Sequence, residues 1–269
     1  MIAQKYMIDH KIPFIHSSDG GMIKKDSALQ KKLKRYFIKN ASAWLGTGRV
    51  TAEYLEHYGA CENRIITYPF TSIYDRDILP VPDSMVVKRQ FRNQLKMEED
   101  KIVLSVGQLI YRKGIDILIK AASKLNNAGI YIIGGTPSDE YVELKRKYNA
   151  NNIHFIGFKD KNELSKYYRA ADVFVLPTRE DIWGLVINEA MSYGIPVVTT
   201  NKCVAGMEMV EQGVTGSIVE VENVNQLVEA VRYWLENGSI ESSNASLDKA
   251  RQYTIEKMAT VHYEILRKM

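Results

Sequence analysis

The sequence predicts an α/β protein of the doubly wound type, with one complete parallel-sheet domain and a partial second, Rossmann-like domain. Three observations lead to this prediction. From about residue 101 onward, short apolar runs rich in β-branched residues recur, amphipathic segments alternate with them, and a glycine closes several of the runs. Strands buried on both faces read as continuous apolar runs, and regular strand–helix alternation is typical of a parallel sheet covered on both sides.

Six apolar runs are predicted as the strands of the complete domain. They are 102–107, 130–135, 153–157, 172–177, 195–200 and 217–221. Helical segments are predicted near 114–125, 138–148, 161–170, 184–193, 206–212 and 223–237. In the first of these segments, apolar residues recur three and four positions apart, which is the spacing of one helix face.

Fewer strands and helices are predicted for the N-terminal part. Strands are expected at 12–18, 43–47 and 64–70, and helices at 27–43, 50–58 and, at the other end of the chain, 247–268. Two or three strands do not complete a doubly wound sheet, and Pro80 and Pro82 indicate a linker. We therefore predict a partial N-terminal α/β domain at 1–82, a complete domain at 83–245, and a C-terminal helix at 246–269 that packs back on the N-terminal part.

Composition excludes several classes of protein. The chain has 269 residues, 45% of them hydrophobic and 25% charged, which are globular values and not those of disordered, collagenous or coiled-coil chains. Its two cysteines show no metal-ligand spacing, so neither a metal site nor a disulfide framework is expected. No signal peptide is recognised, and no apolar run approaches the roughly 18 residues that span a bilayer.

The positive charge is concentrated in one segment. Residues 24–39 hold seven basic side chains against Asp26 alone, a net +6 in a chain whose total is +4. Three interpretations stand: a solvated helix face, a contact with a membrane surface or anionic lipid, and a nucleic-acid contact. The third is disfavoured, because Tyr36 and Phe37 fit core packing better than a base-stacking platform.

Candidate binding residues follow the predicted strands, because open parallel sheets bind ligands beyond the carboxyl ends of their strands. Gly107 and Gln108 follow the strand at 102–107, and Arg112 and Lys113 precede the next helix. Glycine lets the backbone approach a ligand, and the two cations can neutralise phosphate oxygens. A surface turn with solvated charges is an equally good interpretation of this loop alone.

Two further loops give weaker indications. Gly134 follows the strand at 130–135, but glycine is common in plain turns. Phe158 follows the strand at 153–157 and could stack on a base, although aromatic residues at such positions are more often packed in the interior.

The segment 178–190 is the most informative. A helix is predicted to begin near Gly184, so the backbone N–H groups of Gly184, Leu185 and Val186 are expected to face a ligand cleft, where a helix start binds phosphate. Asp181 and Glu189 lie on either side of that start and can accept hydrogen bonds from hydroxyls without an unusual pKa. An acidic cluster favoured by the helix dipole explains Asp181 equally well, but a deeper carboxylate such as Glu189 less well.

Six motifs stand in the order and spacing of one known family. They are VGQLIYRKG (106–114), YIIGG (131–135), NIHFIGF (152–158), ELSKYYRAADVFVLPT (163–178), EDIWGLVINEAMSYGIPVVTT (180–200) and VEQGVTGSIVE (210–220). Together they resemble the donor-binding domain of family-four retaining glycosyltransferases of GT-B fold, and the subgroup makes bacterial exopolysaccharides or other surface glycans. IHSSDGG (15–21) and the segment 53–72 are similar to the latter part of the family's acceptor domain.

The resemblance implies a nucleotide-diphosphate sugar as donor substrate, with no cofactor and no metal. Lys113 matches the family lysine that contacts the diphosphate, and residues 184–186 match its backbone phosphate cradle. Glu189 matches the acid that holds the ribose. Asp181 stands where another acid, usually glutamate, contacts the donor sugar.

The sequence departs from the family pattern in three places. Asp181 is one methylene shorter than glutamate. Gln108 replaces the usual arginine, a loss for which Arg112 is expected to compensate. Much of the family's N-terminal domain has no counterpart here, which puts turnover by this chain alone in doubt. From the N-terminal part, Asp19 is the candidate catalytic residue, because it follows the strand at 12–18.

The function implied by the resemblance is transfer of a hexosyl group to a glycan or lipid-linked acceptor, with retention at the anomeric carbon. Two alternatives remain. The chain could be a donor-binding part or half of a split transferase, with a partner chain supplying the missing half, or it could be a nucleotide-sugar epimerase of the same fold. A cytoplasmic location is expected, with a peripheral contact at the inner face of the membrane through residues 24–39 as an option, and with no nucleic-acid partner.

Overall fold

The structure is a computed structural model that describes residues 2–268 and contains two compact units. The smaller unit consists of Met1–Thr71 with Tyr253–Met269, and the larger unit of Ser72–Gln252. The chain passes from one unit to the other after Thr71, ahead of the two prolines that the sequence indicated as the linker. Each unit is an α/β structure with its own parallel sheet.

The larger unit contains six parallel strands. They are β4 (Ile102–Val106), β5 (Gly129–Ile133), β6 (Ile153–Ile156), β7 (Val173–Leu176), β8 (Val197–Thr200) and β9 (Gly216–Val219). Their order across the sheet is β6-β5-β4-β7-β8-β9. The chain therefore adds strands outward from β4 on one side and from β7 on the other, so the strand order reverses between β4 and β7. In doubly wound sheets this reversal opens a crevice at the carboxyl edge, where ligands bind.

Helices cover both faces of this sheet. They are α4 (Met85–Gln94), α5 (Ile115–Ala122), α6 (Asp139–Lys147), α7 (Lys161–Ala170), α8 (Leu185–Ser192), α9 (Val204–Met209), α10 (Val224–Asn237) and α11 (Ile240–Ala250). Apolar residues of β4, β5 and β7 are buried between them together with the inner faces of α5 and α10. The predicted doubly wound sheet is confirmed, and strands buried on both faces explain its uninterrupted apolar runs.

Helix α4 was not predicted from the sequence. It begins after Ser84, whose side chain accepts a hydrogen bond from the N–H of Val87. Its one buried residue is Arg92, which donates to Asp172 at 2.8 Å and to the carbonyl oxygens of Ala170 and Asp100. A buried ion pair therefore fixes the helix, together with the partly buried Val87, Phe91 and Leu95, which recur four positions apart.

The smaller unit contains a three-stranded parallel sheet with its helices. The strands, in the order β1-β2-β3, are β1 (Ile15–Ser18), β2 (Ala43–Gly46) and β3 (Ile65–Thr67), and the helices are α1 (Ile2–Asp9), α2 (Ala28–Lys39), α3 (Arg49–His57) and α12 (Ile255–Lys268). Trp44, Leu55 and Tyr58 form one buried cluster. Leu45, Tyr68 and Ile265 form a second, so α12 packs on the sheet of this unit.

The single helix predicted at 247–268 is wrong. The structure has two helices there, α11 in the larger unit and α12 in the smaller, separated by residues 251–254. Thr254 explains the second start, since its hydroxyl accepts from the N–H of Lys257 and its carbonyl oxygen from the N–H of Met258. Helix α11 packs against α8. None of the helices between residues 2 and 268 has the length and apolar character needed to cross a membrane.

Two glycines provide a matched test of how closely the loops of the larger unit pack. Gly114 (φ 70°) and Gly213 (φ 76°) share the left-handed conformation, but a Cβ on Gly114 would lie 2.0 Å from the carbonyl oxygen of Pro177, whereas none lies within 4 Å at Gly213. Gly213→Ala should lower the free energy of unfolding by about 1–2 kcal/mol through backbone strain alone. Gly114→Ala should lower this free energy by about 1–3 kcal/mol more, because the loop that carries Gly114 must move away from Pro177.

Urea denaturation of both variants measures this difference. Equal losses would show that the contact between Gly114 and Pro177 does not constrain the fold.

Candidate functional site

The loops after β4, β5 and β7 approach one another at the carboxyl edge of the larger sheet. A Cβ on Gly134 would lie 1.8 Å from the carbonyl oxygen of Gly107, and Gly114 makes the corresponding approach to Pro177. The N–H of Gly107 donates to the carbonyl oxygen of Ile133 at 2.9 Å. The predicted glycines Gly107 and Gly134 therefore allow the loops to meet beside the reversal of strand order.

Lys113 and Asp181 form an ion pair across that reversal. Lys113 Nζ lies 2.5 Å from Asp181 Oδ2, and the two side chains are only 13% and 11% exposed. Arg112 Nη1 lies 3.6 Å from Asp181 Oδ1 and donates to the carbonyl oxygen of Glu180 at 2.8 Å. Two cations thus face one carboxylate, leaving a net positive charge suited to an anion.

The backbone of Asp181 is fixed to the loop that follows β8. Its N–H donates to the carbonyl oxygen of Lys202, and its own carbonyl oxygen accepts from the N–H of Val204. Cys203 lies between these contacts in a parallel bridge with Asp181, and burial raises the pKa of its thiol to about 12. The carboxylate of Asp181 is therefore presented from a rigid main chain.

Helix α8 begins beside this ion pair. Gly184 precedes it with φ 102°, and a Cβ there would lie 2.8 Å from Cys203 Sγ. The half-buried Leu185 and Val186 form the first turn, whose N–H groups have no carbonyl partner within the helix. A helix start with such donors can bind phosphate or carboxylate.

Glu189 has a different environment. Its carboxylate accepts a hydrogen bond at 2.7 Å from the hydroxyl of the buried Tyr168, so the two predicted acids have separate partners. Burial raises the pKa of Glu189, and the hydrogen bond from Tyr168 opposes that rise. Tyr168 stacks on Tyr193 at 5.1 Å. Glu189 and both tyrosines line a cavity of about 320 Å³, which Lys161 also borders.

The remaining predicted residues are exposed. Gln108 lies exposed in the loop after β4, and Phe158 is 82% exposed after β6, not packed. Asp19 follows β1 in the smaller unit and is also exposed. Within the described part of the chain, His, Cys, Asp and Glu side chains do not gather into a group of three or more that could hold a metal ion.

Sequence reasoning missed two residues that fix this region. Tyr168 supports Glu189 from the preceding helix, and its apolar surroundings resemble ordinary core packing. Arg179 binds Asp116 and Glu222, which are 63 and 43 residues away along the chain. A single sequence carries no signal for partners that distant, although Arg179 lies two residues after the strand predicted at 172–177.

Comparison with known sequences identifies similar proteins. The family described as "Glycosyl transferases group 1" matches residues 86–255. An uncharacterized glycosyltransferase of Methanocaldococcus jannaschii is 32% identical over 182 residues, which is 64% of this chain and 46% of that protein. Lipopolysaccharide glucosyltransferase WaaG of Escherichia coli is 28% identical over 222 residues, 80% of this chain and 58% of that protein. The chain spans about half the length of the curated relatives it matches.

Solved structures share the fold. Sucrose-phosphate synthase from Thermosynechococcus elongatus superposes with a TM-score of 0.79 at 23% identity, covering 98% of this chain and 70% of that one. HepE of Anabaena, in complex with UDP and glucose, superposes with a TM-score of 0.77 at 18% identity, covering 99% and 74%.

The Tyr168–Glu189 hydrogen bond generates a prediction about ionisation. The bond favours the charged carboxylate, so Tyr168→Phe should raise the pKa of Glu189 further while leaving the aromatic stack in place. Titration of the Glu189 carboxyl carbon by NMR, in the wild type and the variant, measures the change. Tyr193→Phe is the control. Tyr193 stacks on Tyr168, and this substitution removes a hydroxyl other than the one that donates to Glu189. An unchanged midpoint in Tyr168→Phe would mean that the bond does not stabilise the ionised form.

Proposed function

The chain belongs to the group 1 glycosyl transferases, and from this premise we propose that it binds a nucleotide-diphosphate sugar and transfers the sugar to an acceptor. One observation carries the proposal. Arg112, Lys113 and the start of α8 meet at the reversal of strand order, which gives a diphosphate two cations and free backbone donors in one place.

Each part of the site has a distinct role in this proposal. Lys113, Arg112 and the N–H groups of residues 184–186 bind the diphosphate and stabilise the charge that develops on it as the bond to the sugar breaks. Glu189, held by Tyr168, accepts hydrogen bonds from the ribose hydroxyls. Gly107 and Gly134 let the loops after β4 and β5 approach each other beside the ligand, while Gln108 and Phe158 border it.

Asp181 has two roles that compete. Without ligand, its carboxylate neutralises Lys113. A bound diphosphate attracts the same ammonium group, so Asp181 is then free to accept hydrogen bonds from hydroxyls of the donor sugar. The carboxylate of Asp181 weakens diphosphate binding because it repels the phosphate charge. It instead forms hydrogen bonds to the donor sugar, where binding energy can assist transfer of that sugar.

The finer assignment is a hexosyl transfer to a glycan or lipid-linked acceptor with retention of anomeric configuration. It is supported by the names of relatives, which include a lipopolysaccharide glucosyltransferase and D-inositol 3-phosphate glycosyltransferases, and by the UDP-glucose complex of HepE. Asp19 is kept as the candidate catalytic residue of the smaller unit. The epimerase alternative is not favoured, since the matched family consists of glycosyl transferases.

Asp181→Asn tests the competition for Lys113. The substitution removes a negative charge beside the diphosphate, so UDP, GDP or ADP should bind more tightly, on the order of tenfold, while turnover falls. Calorimetry with these nucleotides and their sugars measures binding. Asp83→Asn is the control, because Asp83 is a similarly buried carboxylate (9% exposed) paired with Arg169 outside this site.

Three results are informative. Tighter binding in Asp181→Asn alone supports the competition. Weaker binding would show that Asp181 is needed to position Lys113. Failure of every nucleotide and nucleotide sugar to bind the wild type would contradict the proposed function itself.

The basic helix α2 suggests how the acceptor is reached, and we propose that it contacts anionic lipids at the inner face of the membrane. Only Ile38 of this helix is buried, and Lys31, Lys32, Arg35 and Lys39 line one exposed surface. Leu29 is also exposed. A basic helix with exposed leucines fits a negatively charged bilayer surface, with about 1 kcal/mol gained per basic residue near it.

Leu29→Ser tests this contact. Leu29 and Leu266 are both 68% exposed, but Leu266 lies on α12, so Leu266→Ser is the matched control. Burying one leucine in the interface is worth about 1.5–3 kcal/mol, and Leu29→Ser should therefore weaken binding to phosphatidylglycerol vesicles about tenfold or more. Flotation assays with anionic and with neutral vesicles measure it. Equal binding of both variants, or binding that ignores vesicle charge, would contradict the contact.

A further inference from the structure

Arg179 makes an extensive set of polar contacts at the carboxyl edge of the sheet. Its Nη1 and Nη2 donate to the two carboxylate oxygens of Asp116 at 2.7 and 2.8 Å, and its Nε donates to Glu222 at 2.8 Å. Nη1 also donates to the carbonyl oxygen of Tyr111 at 2.7 Å, and the guanidinium lies 3.7 Å from the centre of the Tyr111 ring.

These contacts join three loops. Arg179 itself follows β7, Tyr111 belongs to the loop after β4, Asp116 lies in the first turn of α5, and Glu222 precedes α10. The side chains of Arg179 and Asp116 are only 13% and 17% exposed, so their ion pair is largely shielded from water. Burial by itself raises the pKa of Asp116, but the hydrogen bonds and charges of Arg179 and Lys120 together hold that pKa below its usual range.

Arg179 acts on the segment that carries the two cations. Arg112 and Lys113 directly follow Tyr111, and the carbonyl oxygen of Arg112 accepts from the N–H of Arg179 at 2.8 Å and from the hydroxyl of Thr178 at 2.9 Å. The side chain of Arg179 holds the residue before the cations, and its main chain holds Arg112 itself. Tyr111, by contrast, is largely exposed and has little packing of its own.

Arg179 is badly placed to bind phosphate itself. Four of the five guanidinium N–H groups donate to protein oxygens, two from Nη1 and one each from Nε and Nη2, and one face of the guanidinium lies on Tyr111. At most one N–H of Nη2 is left for a ligand. The contribution of Arg179 to ligand binding should therefore pass mainly through the loop that it holds.

We propose that Arg179 is a positioning residue that holds residues 107–114 so that Arg112 and Lys113 face the diphosphate of the donor before it binds. The inference rests on the proposed function, because it assumes that the ligand of these cations is a nucleoside diphosphate. Fixing a loop in its bound conformation improves affinity by removing the ordering cost at binding. The gain in affinity should depend on the diphosphate and not on the nucleoside. The proposed ribose contact of the nucleoside is Glu189, which is held by α7 and α8.

The test compares nucleoside diphosphates with monophosphates. Lysine keeps the positive charge of Arg179 but cannot form the paired hydrogen bonds to Asp116 or stack in the same way. In Arg179→Lys, the affinity for UDP should fall about tenfold and that for UMP by less than about twofold, measured by calorimetry. GDP with GMP and ADP with AMP replace this pair if the wild type prefers them.

Arg169→Lys is the matched control. Arg169 also makes two hydrogen bonds to one carboxylate, that of Asp83, and lies 4.4 Å from the centre of the Phe91 ring. It holds α7, however, and not residues 107–114. Both variants should lose thermal stability. Only Arg179→Lys should lose the preference for UDP over UMP. An equal loss of this preference in the two variants would overturn the proposal.

A second measurement separates positioning from general destabilisation. In a Lys113→Ala background one of the two cations that Arg179 positions is absent, so Arg179→Lys should change the UDP-to-UMP preference less than in the wild type. An undiminished effect would assign Arg179 some other role and overturn the inference. If the wild type binds none of the nucleotides, the proposed function fails first. If it binds UDP and Arg179→Lys keeps the full preference, the inference alone fails.

Discussion

The buried pair between Lys113 and Asp181 is the interaction on which the site depends. Opposite charges removed from water must be paired, since an isolated buried charge is strongly unfavourable. These two residues lie 68 positions apart and belong to the loops after β4 and β7. Their pairing therefore requires the reversal of strand order that brings the two loops together, and it requires Gly114, which lets the loop of Lys113 reach the main chain at Pro177.

The surroundings of the pair divide into two regions of different chemistry. On one side, Arg112, Lys113 and the start of α8 offer positive charge and backbone donors, held from behind by Arg179. The second region is the cavity that Glu189, Tyr168 and Tyr193 line together with other residues of α7 and α8. The proposed donor, a nucleotide-diphosphate sugar, carries an anionic group for the first region and ribose hydroxyls for the second.

Much of this arrangement could be predicted from the sequence. The four central strands of the larger unit are fully buried, so each one leaves an apolar run that marks the loop after it. The candidate residues at 107–113 and 181–189 follow two of these runs. Helix α4 precedes the first of these runs and was not predicted, and the ion pair of Arg92 with Asp172, 80 residues away, could not be inferred from spacing. The break between α11 and α12 depends on a capping threonine that also occurs inside helices. The roles of Arg179 and Tyr168 depend on partners distant in the chain, which periodicity does not reveal.

A crystal structure of the protein with a bound nucleoside diphosphate, soaked or co-crystallised with UDP, GDP or ADP, tests the central claim most directly. The account predicts phosphate oxygens within hydrogen-bond distance of Lys113 Nζ and of the N–H groups of Leu185 and Val186, ribose hydroxyls on the Glu189 carboxylate, and Arg179 still bound to Asp116. A nucleotide bound away from the loops after β4 and β7, with the Lys113–Asp181 pair undisturbed, would contradict it.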